Sequence, residues 1–295
     1  MSAKQATSRR TEPAASKSGE PSRRRARPKD TATRYRERQL ASSRYGIVYD
    51  VDGPRVRLGV LWFLLCLVCL YIGLVALAAL FAAVAALAAE QVATVLRNRW
   101  RRPDRAVAGV VAAAVPLAAA AGTALAGAVL VVASVVVVVL AAARPVKGTD
   151  PVVNAEAVMR SALAPALAAA AVVMLYRVDI GAAVTIVFLI SSYEFGDFLV
   201  GTGASNQIEG PASGVLAMLV MTAALAVVGP PPFEGGSIWF FGVVAAILAP
   251  AGQDPASAIP PRAGAPARAL RRLDSYLLAA PVWLVLMWAG LQGGT

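Results

Sequence analysis

The chain has 295 residues, of which 58% are hydrophobic and 15% are charged, and its formal net charge is +11. A soluble domain is about half apolar and about a quarter charged, so this composition excludes an ordinary soluble protein and predicts an integral membrane protein. Histidine is absent and two cysteines are present, so metal or acid–base chemistry would have to use carboxylates, hydroxyls, lysine or arginine.

The first segment, residues 1–54, is polar and basic. Together with residues 55–57 it holds more than half of the 28 Lys and Arg, and it is rich in Ser, Pro and Thr. Such a segment cannot bury enough apolar surface to offset the entropy of ordering. The sequence therefore predicts a disordered cytoplasmic tail, and its basic run favours anionic lipid head groups over nucleic acid as a partner. Because this polar stretch precedes the first apolar run, that run is not expected to be a removable signal peptide.

The rest of the chain is a series of apolar runs. The runs 56–95 and 106–143 are each long enough to cross twice a hydrocarbon core about 30 Å thick, with breaks near 71–73 and at Gly122. Further spans are predicted near 157–176, 180–200, 212–229, 236–251 and 273–291. The predicted fold is thus an all-α integral membrane protein of about nine transmembrane helices. An N-terminal membrane subdomain (55–145) holds about four of them and a C-terminal one (146–295) about five.

Cys66 and Cys69 form a C-x-x-C pair in the first apolar run. Neither a second cysteine pair nor a histidine completes a metal site, so we interpret the two thiols as small apolar groups on one helix face.

The distribution of Lys and Arg between the predicted loops indicates which side of the membrane each loop occupies. The loops after the second, fourth and eighth helices carry several basic residues and the loop after the sixth carries none, whereas the loops on the opposite side carry a single basic residue, Arg177. The positive-inside rule then predicts a cytoplasmic N-terminus and, with nine crossings, a C-terminus outside the cell membrane. The many Ala and Gly residues favour close helix packing, which is compatible with a homodimer.

Acidic residues concentrate in the second half of the apolar region. Glu194 and Asp197 lie at i and i+3 in SSYEFGDFLVG, so a helix places both carboxylates on one face. The predicted topology puts five acids near the cytoplasmic ends of helices six to nine, the other three being Glu209, Asp254 and Asp274.

Two interpretations of this arrangement are open. In the first, Asp254 and Asp274 cap helices and Glu209 lies in a hydrated loop. The arginines before the last span then only anchor the chain in lipid head groups. In the second, acids and arginines form a polar funnel in which carboxylates hold a divalent cation and arginines hold phosphate. Glu194 favours the second, because an acid inside a span costs about 2.5–3.5 kcal/mol and usually faces a cavity or a partner.

Two segments resemble the phosphatidate cytidylyltransferases (CDP-diacylglycerol synthases), membrane enzymes that make CDP-diacylglycerol from CTP and phosphatidic acid. SSYEFGDFLVG resembles their D-x-G-A-Y-x-x-G segment, with Glu194 in the Asp position and Gly196, Phe198 and Gly201 in the Gly, Tyr and Gly positions. The stretch from GQDPASAIPPRAG to ALRRLDSYLLAAPVW resembles the C-terminal signature from G-D-x-x-E-S to D-R-x-D-S. Its matching residues are Gly252, Ser257, Arg272, Asp274 and Ser275.

The chain also departs from the family pattern. NQIEGPASG keeps Glu209 and Gly210 of the S-P-x-K-T-x-E-G loop but lacks its lysine, and the K-D and P-G-H-G-G elements are missing. Arg271 stands where the signature has its first Asp, and Gln253 and Ala256 stand near the expected Asp and Glu.

The resemblance implies a set of site residues. Asp274 and Glu194 would be the catalytic carboxylates, and a Mg²⁺ ion would require carboxylates drawn from Asp274, Glu194, Asp197, Glu209 and Asp254. Phosphates of CTP or phosphatidic acid would be held by Arg268, Arg271, Arg272, Ser257 and Ser275. An arginine in place of a metal-ligating Asp removes a ligand and repels the ion, so impaired or lost catalysis is expected. A divergent active cytidylyltransferase, and a transporter or scaffold whose basic tail recruits a partner, are the alternatives.

Overall fold

The structure, a computed structural model, describes residues 55–293 except 203, 205, 207, 234 and 235, and side chains from 59 to 290 with the same gaps. Over these residues the chain contains nine α-helices, one short 3-10 helix and no β-strand, which confirms the all-helical fold class. The predicted tail, residues 1–54, lies outside the described residues. The helices are α1 (Arg55–Ile72), α2 (Leu74–Leu96), α3 (Arg105–Ala119), α4 (Thr123–Ala143), α5 (Pro151–Val178), α6 (Ile180–Gly201), α7 (Glu209–Val228), α8 (Ser237–Ala258) and α9 (Tyr276–Gly293).

Six of these helices, α2 and α4 to α8, are long and apolar enough to cross a membrane, as expected for a multi-pass membrane protein. The other three contain shorter apolar stretches, Gly59–Ile72, Arg105–Ala119 and Tyr276–Gly290. At 1.5 Å per residue, the 15 residues of α3 extend only about 22 Å.

Two predicted boundaries differ from the structure. α5 begins at Pro151, where Asp150 caps the first turn by accepting a hydrogen bond from Val152 N. α8 continues through Pro250 and Pro255 to Ala258, although a proline normally marks a helix end when only the sequence is read. The second error matters because it adds two turns to α8 beside the candidate site.

The central helix of the bundle is α5. In the most apolar 18-residue stretch of α5, 67% of the residues are buried, whereas only 11% are buried in the corresponding stretch of α4. α5 contacts α2, α3, α4, α6 and α9, and its buried face consists largely of alanines, including the run from Ala168 to Ala171. Small side chains let these helices approach closely, as is usual in membrane bundles.

The helix ends gather at two ends of the bundle. One end, which we call the basic end, contains the C-terminal ends of α2, α4, α6 and α8 and the N-terminal ends of α3, α5 and α9. Two hydrogen bonds attach loops to helices at this end: Arg102 N donates to Asn154 Oδ1 of α5 over 2.7 Å, and Ala269 N donates to Gln91 Oε1 of α2 over 2.9 Å. At the opposite end, an Arg177 guanidinium at the end of α5 donates to Ala120 O at the end of α3.

Candidate functional site

The loop between α8 and α9 is held against the basic end. Arg160 of α5 donates through Nε to Ile259 O (2.9 Å) and through Nη2 to Ala258 O (2.8 Å). These carbonyl groups lie at the end of α8, where no following turn of helix supplies N–H donors. The guanidinium supplies those donors instead. Leu270 of the 3-10 helix is buried against Val92 and other apolar residues of α2 and α5. The loop therefore has a fixed path into the next helix.

That path places Arg271 inside the bundle end. Its Nη1 donates to Ser257 Oγ (3.0 Å) and lies 3.6 Å from Asp274 Oδ2, while its Nη2 donates to Ala263 O (2.8 Å). Ser257 in turn donates to Gln253 O one helical turn earlier (2.8 Å). One guanidinium thus connects α8, the loop and the residues that precede α9.

Asp274 lies just before α9, and its side chain is 7% exposed. Its Oδ1 accepts a hydrogen bond from Ser275 N over 2.8 Å, with Ser275 Oγ 3.4 Å away. Burial raises the pKa of Asp274 to about 6 from its ordinary value of 3.8. This effect outweighs the opposing pull of the Arg271 guanidinium and the Ser275 N–H, and the nearby Asp197 carboxylate raises the pKa further.

Gly252 lets α8 approach this backbone. A Cβ atom built on Gly252 would lie 2.5 Å from Asp274 O, a distance that no real side chain tolerates. Close packing of α8 against the residues before α9 therefore explains why glycine is needed at position 252.

A second ion pair lies alongside the first. Arg272 Nη1 is 3.8 Å from Glu194 Oε2 of α6, and these side chains are 31% and 21% exposed. The other carboxylate oxygen, Glu194 Oε1, is buried and accepts no hydrogen bond in the described part of the chain. The Tyr276 hydroxyl at the start of α9 is buried with no hydrogen bond there either; Ser191 lies nearby, but not in hydrogen-bonding geometry. We call Arg271, Asp274, Arg272 and Glu194 the paired-ion cluster.

The remaining predicted residues are divided between this cluster and the surface. Asp197 is buried (6% exposed) and close enough to influence Asp274. Glu209 begins α7 and accepts from Asn206 Nδ2 over 2.8 Å, an arrangement that stabilises a local turn. Asp254 is exposed within the last turns of α8 and Arg268 is exposed in the following loop. The interpretation of Asp254 as a helix cap is wrong, because α8 continues past it.

The carboxylates do not come together as metal ligands. Among the described residues, no three acidic or cysteine side chains are grouped closely enough to hold one ion. The two carboxylates of the paired-ion cluster face guanidinium groups instead of each other. The arrangement therefore does not fit the Mg²⁺ site that the resemblance implies, since that cation needs several oxygen ligands at once. Any metal-binding role of the five predicted acids stays a prediction.

Sequence reasoning missed three polar contributors. Arg160 lies inside a predicted span and was given no role, yet it anchors the α8–α9 loop. Tyr193 donates to Gln253 Oε1 over 3.2 Å and so joins α6 to α8 next to the cluster. Tyr276 contributes its buried hydroxyl. A signal existed for each, because a polar group inside an apolar run usually faces a protein interior and not lipid.

Comparison with known proteins gives no further guide: no family model matches the sequence, and no curated protein or solved structure gives a significant match.

Proposed function

We propose that this chain is a phosphatidate cytidylyltransferase-like membrane protein of phospholipid metabolism, and that it binds lipid phosphate at the paired-ion cluster with impaired or lost nucleotidyl transfer. The observation that carries the proposal is the placement of Arg271. Its guanidinium contacts Ser257 Oγ and Asp274 Oδ2, both of which belong to the signature that the sequence resembles. A fixed positive charge there opposes the binding of a metal ion and favours an anion.

The composition of the cluster supports anion binding. The side chains of Arg271 and Arg272 are 22% and 31% exposed, so each keeps donor groups within reach of a ligand entering from the basic end. Each guanidinium has five N–H donors in a planar fork that suits phosphate oxygens.

The membrane arrangement belongs to the same proposal. We place all nine helices across the membrane, with the basic end in the cytoplasm and the C-terminus outside the cell membrane. The short helix α3 supports this count, because its first turn lies at the basic end and Ala120, just after its last turn, accepts from Arg177 at the opposite end. The cytoplasmic orientation follows from the arginines of the basic end by the positive-inside rule.

The first test is a CTP:phosphatidate cytidylyltransferase assay on detergent-purified protein with Mg²⁺, combined with measurement of phosphatidic acid binding. We expect saturable binding of phosphatidic acid and no CDP-diacylglycerol above background. Product that requires both Asp274 and Glu194 would instead establish a divergent active enzyme.

Variants assign the binding to the cluster. Arg272→Gln is expected to weaken phosphatidic acid binding, because it removes a guanidinium while the rest of the cluster stays in place. Arg262→Gln, which removes an equal charge from an exposed position in the same loop, is the matched control. Equal loss in both variants, or no saturable binding in the parent protein, would show that the cluster is not a phosphate site.

A further inference from the structure

A separate basic cavity of about 630 Å³ lies at the basic end, between the α2–α3 loop and the α4–α5 loop. Its walls come from the N-terminal membrane subdomain and from the first turns of α5. No residue of the paired-ion cluster lines it, so its chemistry can be considered independently of the proposed function.

Arginines dominate the polar lining of this cavity. Four guanidinium groups and two carboxylates line it, the basic residues being Arg97, Arg102, Arg105 and Arg144. Within the described part of the chain, none of these four arginines forms a salt bridge. Of the two carboxylates, Asp104 already accepts from Ala106 N and Val107 N as the cap of α3. The lining therefore has an excess of positive charge that is not neutralised by these residues.

The loop that presents two of these arginines has a defined shape. Asn98 Oδ1 accepts from Trp100 N and Arg101 N, over 2.8 and 2.9 Å. The buried Asn154 of α5 accepts from Arg102 N, and Arg101 lies 3.6 Å from Glu156. Since the backbone is fixed to α5, ligand binding requires little ordering of this loop's backbone, and the entropy cost falls on the exposed arginine side chains.

The part of the cavity further from the basic end is apolar. Val137 and Leu140 of α4 and Val158 of α5 line it, and Val137 precedes Arg144 by about 10 Å of helix rise. The neighbouring surface of α4 is also apolar, with Val135, Val138 and Val139 exposed. A ligand that fills the cavity would therefore meet charge at one end and hydrocarbon at the other.

We propose that this cavity is a binding site for an anionic phospholipid, whose phosphate contacts the four arginines and whose acyl chains lie along α4. A lipid fits better than a free phosphate because the lining is charged only at the end of the helices, where head groups lie, and apolar towards the membrane interior. The site is distinct from the paired-ion cluster and does not depend on catalysis.

The test measures binding of dioleoyl phosphatidate to the full-length detergent-purified protein by native mass spectrometry. The test variant is Arg102→Gln/Arg105→Gln, and the matched control is Lys147→Gln/Arg262→Gln, which removes two exposed charges of the same end outside the cavity. A second variant, Ala141→Trp, fills the apolar part and leaves all four arginines. Each variant is also measured in an Arg272→Gln background, so that lipid bound at the paired-ion cluster does not obscure the result.

We expect the Arg102→Gln/Arg105→Gln variant to weaken binding about tenfold or more in the Arg272→Gln background, and by less where the paired-ion cluster still binds lipid. Ala141→Trp should weaken it as well, and the control should change it little. Soluble glycerol 3-phosphate should compete poorly. Equal losses in the test and control variants, unchanged binding in Ala141→Trp, or effective competition by glycerol 3-phosphate would each overturn the proposal. Failure of the Arg272→Gln variant to affect lipid binding would count against the paired-ion cluster and leave this cavity unaffected.

Discussion

The Arg271 guanidinium lies 3.6 Å from the Asp274 carboxylate and also donates to Ser257, so one side chain closes the gap between the end of α8 and the start of α9. In the signature that this region resembles, Arg271 takes the position of an Asp. Under the proposed relationship, Arg271 supplies its own positive charge where a group that attracts a metal ion is expected. The ion pair connects the end of α8 to the start of α9, and removal of one partner would leave an uncompensated buried charge.

The first prediction concerns removal of this charge. Arg271→Gln leaves the buried Asp274 carboxylate without its cationic partner, so we expect a loss of about 1–3 kcal/mol in stability and a further rise in the pKa of Asp274. The melting temperature in detergent should fall accordingly. Arg262→Gln, at an exposed position of the same loop, is expected to melt like the parent protein. Identical melting of both variants would show that the ion pair contributes nothing.

The second prediction follows from the pKa of Asp274, which burial raises to about 6. The folded state therefore binds this proton more tightly than the unfolded state does. The resulting stability is present below the ordinary pKa near 4 and is lost as the pH rises through about 6. The melting temperature of the parent protein should thus decrease over this range by more than that of Asp274→Asn.

Asp274→Asn is informative because its amide is neutral at every pH and keeps nearly the same volume. Asp254→Asn, at an exposed position of α8, is the control and should retain the pH dependence of the parent protein. Parallel melting profiles for the parent protein and Asp274→Asn would contradict the assignment of the effect to Asp274.

The sequence predicted the helices well because hydrophobic length and turn residues are local properties. Gly122 precedes α4 with a φ of 154°, and Gly229 follows α7 with a φ of 60°, so each break coincides with a conformation that favours glycine. The predicted end of α8 was wrong because that end depends on contacts that are distant in the sequence. Pro255 lies inside the helix, while carbonyls at its end are satisfied by Arg160, a contact across the bundle that no local pattern contains.

The candidate site was predicted in part. The helical spacing of Glu194 and Asp197 and the RRLDS segment indicated a polar region at one end, and the structure brings Glu194, Arg272 and Asp274 together there. Which carboxylate faces which guanidinium depends on the path of the α8–α9 loop. That path is set by contacts with α2 and α5, far away in the sequence, so the spacing of residues could not reveal it.

The third prediction tests the close approach of α8 and α9. In Gly252→Ala, the new methyl group would lie 2.5 Å from Asp274 O, so the start of α9 must shift. We expect a loss of about 1–3 kcal/mol in stability and weaker phosphatidic acid binding. Gly127→Ala is the control, because open space surrounds that helical glycine and alanine there should stabilise by about 0.5–1 kcal/mol. Equal stability of the two variants would show that the helices have room to separate.

The last prediction concerns Arg160, which donates to Ala258 O and Ile259 O. Both bonds use the planar fork of the guanidinium, and a lysine ammonium cannot reproduce that geometry. Arg160→Lys and Arg160→Gln should therefore both accelerate amide hydrogen exchange over residues 259–270, with little change in α3 or α4. Gln91→Ala, which removes the acceptor of Ala269 N, should accelerate exchange near that amide and leave the end of α8 protected. Unchanged exchange in the two Arg160 variants would mean that the loop is held by its apolar contacts alone, and full protection in Arg160→Lys would mean that charge is sufficient without the fork.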